Sequence, residues 1–200
     1  APAPAATGNQ STLVILLKAF AGDAEPFTPA QAQDLVFKSQ FQNFMQEQSY
    51  GKVSFSGNVI GWVSLGQTIS TGCLFLSNDQ LATTLNQYGY DLTKYGRIVY
   101  LLSGGGGGCS GVGKGSITIN SVTYSVSQMS VGLDSYSSPS SWGAQPFTWT
   151  NLDHVLSHEM GHSLGVGHAD GWDCGEDILR EDCQYILAGN SYYTMGVGLH

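Results

Sequence analysis

The chain has 200 residues, enough for one domain with a proper hydrophobic core. Seven Lys+Arg against 15 Asp+Glu leave a net charge of −8, and an acidic surface repels nucleic acid and anionic membrane, so neither is an expected partner. Charged residues are only 11 % of the chain, which suggests a solvated, low-charge, β-rich exterior of the kind common in secreted hydrolases, and no stretch approaches the roughly 18 apolar residues of a membrane span.

Taken in chain order, residues 1–6 (Ala-Pro-Ala-Pro-Ala-Ala) read as a flexible, processed mature terminus with no signal peptide. Residues 13–20 are a short apolar run and form a central strand. Leu35, Phe37, Phe41, Phe44 and Met45 give residues 29–48 helical periodicity. Residues 53–63 are a strand pair or one long bent strand, 79–88 a second helix and 98–102 a further strand. Residues 117–119 and 122–129 read as strands joined by a turn at Asn120-Ser121. The proline-, serine- and glycine-containing stretch 134–147 is a loop leading into a last helix, from near Asn151 to Leu164. The chain after residue 168 is loop-rich. This order is that of an α/β (α+β) domain spanning residues 1–200, with an upper part at about 9–168 and a short lower part at about 169–200.

The last helix carries the chemistry. Residues 158–168 read His158-Glu159-Met160-Gly161-His162-Ser163-Leu164-Gly165-Val166-Gly167-His168, the pattern H-E-x-x-H-x-x-G-x-x-H. A helix advances about 100° per residue, so His158 and His162 return to within about 40° of one another and can converge on one ion. Glu159 is offset to the flank, within reach of a metal-bound water without being a ligand. On a continued helix His168 would lie roughly 240° beyond His162. The chain must therefore stop and turn, and Gly165 stands where a helix end needs a left-handed residue. Three neutral imidazoles leave a fourth position for water, the pattern of a catalytic zinc. Thr150 and Asp153, three positions apart, suggest a capping box at the helix start. His154 lies on the same stripe, but about 12 Å of helical rise separates it from His162, so it is expected as a partly buried residue near the site and not as a ligand.

The extended motif resembles that of the metzincins, the zinc metalloprotease clan with three histidines and a methionine turn beneath the metal. Tyr193-Thr194-Met195-Gly196 fits that turn. Within the clan the chain is most similar to the gametolysin (autolysin) family, through Ser49-Tyr50-Gly51-Lys52-Val53-Ser54-Phe55-Ser56-Gly57, the glycine-and-cysteine loop near Cys109, and Gly189-Asn190-Ser191-Tyr192-Tyr193-Thr194-Met195-Gly196. The resemblance implies a twisted, mostly parallel sheet with an antiparallel edge strand, an active-site helix and a small irregular C-terminal subdomain. It also implies a zinc endopeptidase in which Glu159 is the general base, His158, His162 and His168 hold one Zn²⁺, Gly165 and Met195 support the site, and the strand around residues 122–129 pairs with an extended substrate. Its expected partner is a protein or peptide substrate, of extracellular or cell-wall origin, acted on by a secreted monomer. Two departures stand out. Val197 occupies the position two residues after the methionine, where some members carry a tyrosine, and the pocket wall and final helix that follow the turn in the clan are not included in these residues.

Four cysteines allow three pairings. The pairs closest in sequence, Cys73–Cys109 and Cys174–Cys183, are expected as disulfides, and disulfides belong to an oxidising compartment. Two further signals compete with the zinc reading. Gly108-Cys109-Ser110-Gly111-Val112-Gly113-Lys114-Gly115 approaches a phosphate loop, but glycine replaces the final hydroxyl residue and a β pattern follows where a helix is required. Residues 170–182 hold Asp170, Asp173, Glu176, Asp177, Glu181 and Asp182 against Arg180, a candidate Ca²⁺ segment without EF-hand spacing. The rivals to an enzyme are an inactive zinc-binding module, whose signature would be loss of Glu159, and a closed structural zinc site with Asp170 as fourth ligand.

Overall fold

The computed structural model describes residues 6–70, 72–105, 108–110, 115–133, 149–169, 171–173, 184–186 and 194–195, and of 149–151, 171–173, 184 and 186 the backbone only. The chain forms two compact units, Ala1–Gly165 and Val166–His200.

The first unit is built on a five-stranded sheet. Its strands are β1 (Gly8–Lys18), β2 (Val53–Ser64), β3 (Arg97–Leu102), β4 (Gly108–Ser110) and β7 (Ser127–Gly132), in the order β2-β1-β3-β7-β4. All neighbours are parallel except β4, which runs antiparallel to β7 and forms one edge. The class is thus α/β with a mostly parallel sheet. Parallel strands are covered on both faces and read as unbroken apolar runs. Leu13, Val14, Ile15, Leu16 and Leu17 fit that rule, all of them fully buried. Because side chains alternate, Val14, Leu16, Val99 and Leu101 face one core, shared with helices α1 (Pro29–Lys38), α2 (Gln40–Gln48) and α4 (Trp149–Ser163). Leu13, Ile15, Leu17, Ile98, Tyr100 and Leu102 face a second core, closed by α3 (Asn78–Tyr88) through Leu81 and Leu85. Each such side chain contributes about 1.5–3 kcal/mol on burial.

Three local expectations need correction, and of the two alternatives for residues 53–63 the structure shows one long bent strand. Residues 29–48 are two helices. Ser39 adopts an extended conformation between them, its hydroxyl donating to the Leu35 carbonyl and accepting from the Phe41 N–H at 3.2 Å, so one residue ends α1 and caps α2. Residues 53–64 are a single strand, bent by a register shift against β1 between Ile15 and Leu17. Gly57 lies against Thr12 so closely that a Cβ there would meet the Thr12 carbonyl oxygen at 1.7 Å, which only glycine permits. Residues 122–129 divide. Val122–Tyr124 is β6, paired with β5 (Ile117–Ile119) through the expected turn, whose Asn120 and Ser121 have φ of 49° and 65°. Ser127 onward is the interior strand β7, so the sheet edge on that side is β4. Finally, α4 already runs from Trp149. Thr150 lies inside its first turn and cannot cap it, and Asp153 Oδ1 is buried with no hydrogen-bond partner.

In the second unit, β8 (Gly171–Asp173) pairs antiparallel with β9 (Gln184–Ile186), a short ladder the sequence reading did not contain. The Ala169 N–H donates to the Met195 carbonyl at 2.9 Å. This bond ties the turn at Thr194 and Met195 to the residue that follows His168.

Candidate metal centre

Helix α4 separates its duties by face. Leu152, Leu156 and Met160, spaced four apart, are buried in the core shared with α1 and α2, and Val155 and Leu164 pack beside them. That packing fixes the helix rotation and leaves His158 and His162 together on another stripe. Their rings meet edge-on with centroids 4.7 Å apart, and their Nε2 atoms are 3.2 Å apart. Glu159, between them in sequence, is buried, with 7 % of its surface exposed. Burial raises its carboxyl above the ordinary range, partly opposed by the charge of His162.

The helix stops where the motif requires. The Leu164 N–H still reaches the Met160 carbonyl at 2.9 Å, but the Gly165 N–H bonds the His162 carbonyl at 2.8 Å, closing a tighter turn. Gly165 has φ of +99° with open space around its Cα, so the backbone angle, and not crowding, calls for glycine. Three residues later, one ring nitrogen of His168 joins those of His158 and His162, and all three lie within 4.8 Å of one another. His162 is buried, His158 half-buried and His168 exposed. Two nitrogens bound tetrahedrally at about 2.0–2.1 Å from one zinc would be roughly 3.3 Å apart. The 3.2 Å separation of His158 and His162 matches that spacing, and a donor set of imidazoles alone suits zinc. The three-histidine group can therefore hold a metal ion. His154, expected to be partly buried, is exposed on the helix.

The edge strand bounds the general-base candidate. A Cβ on Gly108 of β4 would lie 2.6 Å from Glu159 Cγ and 2.8 Å from its Oε1, so the glycine leaves the space that the carboxylate occupies. The next residue, Cys109, is joined to Cys73 in a disulfide with a Cα–Cα distance of 4.9 Å, as expected. The other expected pair, Cys174–Cys183, lies outside the described residues, as do Tyr192, Tyr193, Val197 and every carboxylate of the candidate Ca²⁺ segment, Asp173 being described in its backbone only. The phosphate-loop resemblance dissolves here: Gly108–Ser110 is a strand, and the next described element is β5.

Sequence reasoning passed over a buried polar cluster at the end of α4. Arg97, Gln10, Ser127 and Ser163 are all nearly inaccessible. Arg97 Nε donates to Gln10 Oε1 at 2.9 Å, and its Nη1 donates to the Ser163 carbonyl at 2.7 Å and to the Ser163 hydroxyl. The Ser127 and Ser163 hydroxyls are 2.9 Å apart. The one available signal was an arginine opening an otherwise apolar strand, Arg97-Ile98-Val99-Tyr100-Leu101-Leu102.

No family model matches the chain, and no curated protein matches it.

Proposed function

We propose that the protein is a secreted zinc-dependent endopeptidase of metzincin type, acting on extracellular or cell-wall protein. The observation that carries this reading is the convergence of His158, His162 and His168 next to a buried glutamate that is not part of the donor set. His158, His162 and His168 would each give one neutral ring nitrogen to the ion. The metal, when bound, supplies Lewis acidity, lowering the pKa of a coordinated water to about 7 and polarising the scissile carbonyl. Glu159 accepts the proton of the attacking water at its carboxylate and delivers it to the leaving amine, so the base begins and ends the cycle ionised. Its burial excludes bulk water from that transfer. The edge strand β4, next to Glu159, is the sheet edge on which an extended peptide would be placed by strand addition. Met195 is assigned the floor beneath the metal. The Cys73–Cys109 bridge supports an oxidising, extracellular compartment, and among the described residues no helix is long and apolar enough to cross a membrane.

The test is hydrolysis of casein by the purified chain. Activity should vanish with 1,10-phenanthroline and return on adding Zn²⁺. Zinc bound without any hydrolysis would favour an inactive binding module instead, and hydrolysis indifferent to the chelator would exclude the metal mechanism.

A further inference from the structure

Buried guanidinium groups are costly unless their donors are met, so where one is placed matters. Arg97 is 1 % exposed. It stands directly beside Thr12 of β1 and Ser127 of β7 in the sheet register. Its donors divide between two elements: one reaches Gln10 on β1, and others reach the Ser163 carbonyl and hydroxyl on α4. Ser163 immediately follows His162. Its carbonyl is among the last of the helix, which have no intrahelical N–H to accept from, and a cation at that end is favoured by the helix dipole. Ser127 holds the same Ser163 hydroxyl from a third element.

We propose that Arg97 is a positioning residue of the metal centre, fixing the last turn of α4, and with it His162 and the glycine turn that follows, against strands β3 and β7. The inference rests on reading the three histidines as a metal site. Burial lowers the Arg97 pKa to about 10, which leaves the group charged at neutral pH. The bond pattern gives the device its stiffness. Moving the helix end would strand a buried cation and two buried hydroxyls, whereas a merely apolar contact could slide. Metal ligands tolerate errors of only about 0.5 Å before affinity falls, and this cluster sits one residue from a ligand.

The test uses the full chain with Zn²⁺ and Co²⁺ as probes. Arg97→Lys keeps the charge but cannot reach Gln10 and Ser163 together. Ser163→Ala removes the hydroxyl and keeps the carbonyl. Gln10→Leu removes the β1 acceptor of Arg97 and the Gln10 amide's own bonds to the Thr7 and Gly8 carbonyls but leaves both bonds to Ser163, so it controls for a loss of stability away from the helix end. Zinc affinity, from chelator competition on folded protein, should fall about tenfold or more for Arg97→Lys and Ser163→Ala, and their Co²⁺ visible bands should shift. Gln10→Leu should stay near wild type in both readouts. Wild-type affinity and spectrum in Ser163→Ala and Arg97→Lys would overturn the proposal, as would equal weakening by Gln10→Leu. If Arg97→Lys does not fold, Ser163→Ala decides. A wild-type chain that binds no zinc would instead overturn the metal reading on which the proposal stands.

Discussion

His158 and His162 meet because helical geometry and the Leu152–Leu156–Met160 stripe together fix which way they face, whereas His168 depends on a single left-handed residue. Both facts were legible in the spacing of eleven residues, since a helix period and a glycine break are local properties. The histidines also differ in what their loss should do. His168→Ala leaves two protein nitrogens and should strip the ion or greatly weaken its binding, while His154→Ala, on an exposed position, should retain about one ion per chain. Elemental analysis of the two purified variants decides, and the reverse result would refute the ligand assignment. Gly108 was not legible in this role. Its importance arises from a strand and a helix distant in sequence meeting at Glu159, which no periodicity reports. An alanine there must push the Glu159 side chain aside, because the clash is with side-chain atoms that can rotate. Gly108→Ala should therefore keep fold and metal yet lose activity on the order of 10²-fold, the scale of a misplaced catalytic group. Full turnover in the variant would show that the space beside Glu159 is not needed.

At the scale of elements, the apolar strands declared themselves, and the failures fell at boundaries. Helix α4 begins before Thr150, so the capping pattern at Thr150 and Asp153 was a coincidence of composition, and Asp153 is left with a buried oxygen that no donor meets. Burial raises the Asp153 carboxyl above its usual 3.8. A carboxyl with a raised folded pKa holds its proton where the unfolded chain has released it. Its ionisation therefore subtracts from stability at neutral pH, and the penalty fades as pH falls through the folded value toward 3.8. Asp153→Asn should be more stable than wild type at pH 7 and lose that advantage near pH 4, read from urea midpoints at the two pH values. An advantage independent of pH would rule out this origin. The short edge strand β4 carries one end of the Cys73–Cys109 bridge, which joins residues 36 apart. A loop of that length gives about 3–4 kcal/mol through the unfolded state. The paired Cys73→Ala and Cys109→Ala variant should lose stability of that order and lose activity with it, because β4 backs Glu159. A variant with an unchanged urea midpoint would count against any tethering role.

For the whole molecule, the α/β class followed from alternating apolar runs and helical periods, and among the described residues β4 is the antiparallel strand at one edge of the sheet. Which strand would be that edge was not legible. Residues 127–132 and 108–110 are both short and mixed, and only pairing across the sheet makes the first interior and the second peripheral. The polar cluster of Arg97, Gln10, Ser127 and Ser163 escaped notice for the same reason, since its members come from four elements and share no motif. The proposed activity rests finally on Glu159. The amide of Glu159→Gln is nearly isosteric but cannot accept the water proton. Zinc content and peptide turnover should therefore be measured on the wild-type and Glu159→Gln chains side by side. The account predicts equal zinc, about one ion per chain, with turnover reduced about 10²–10⁴-fold in the variant. Undiminished turnover by zinc-loaded Glu159→Gln, or none by the zinc-loaded wild type, would contradict it.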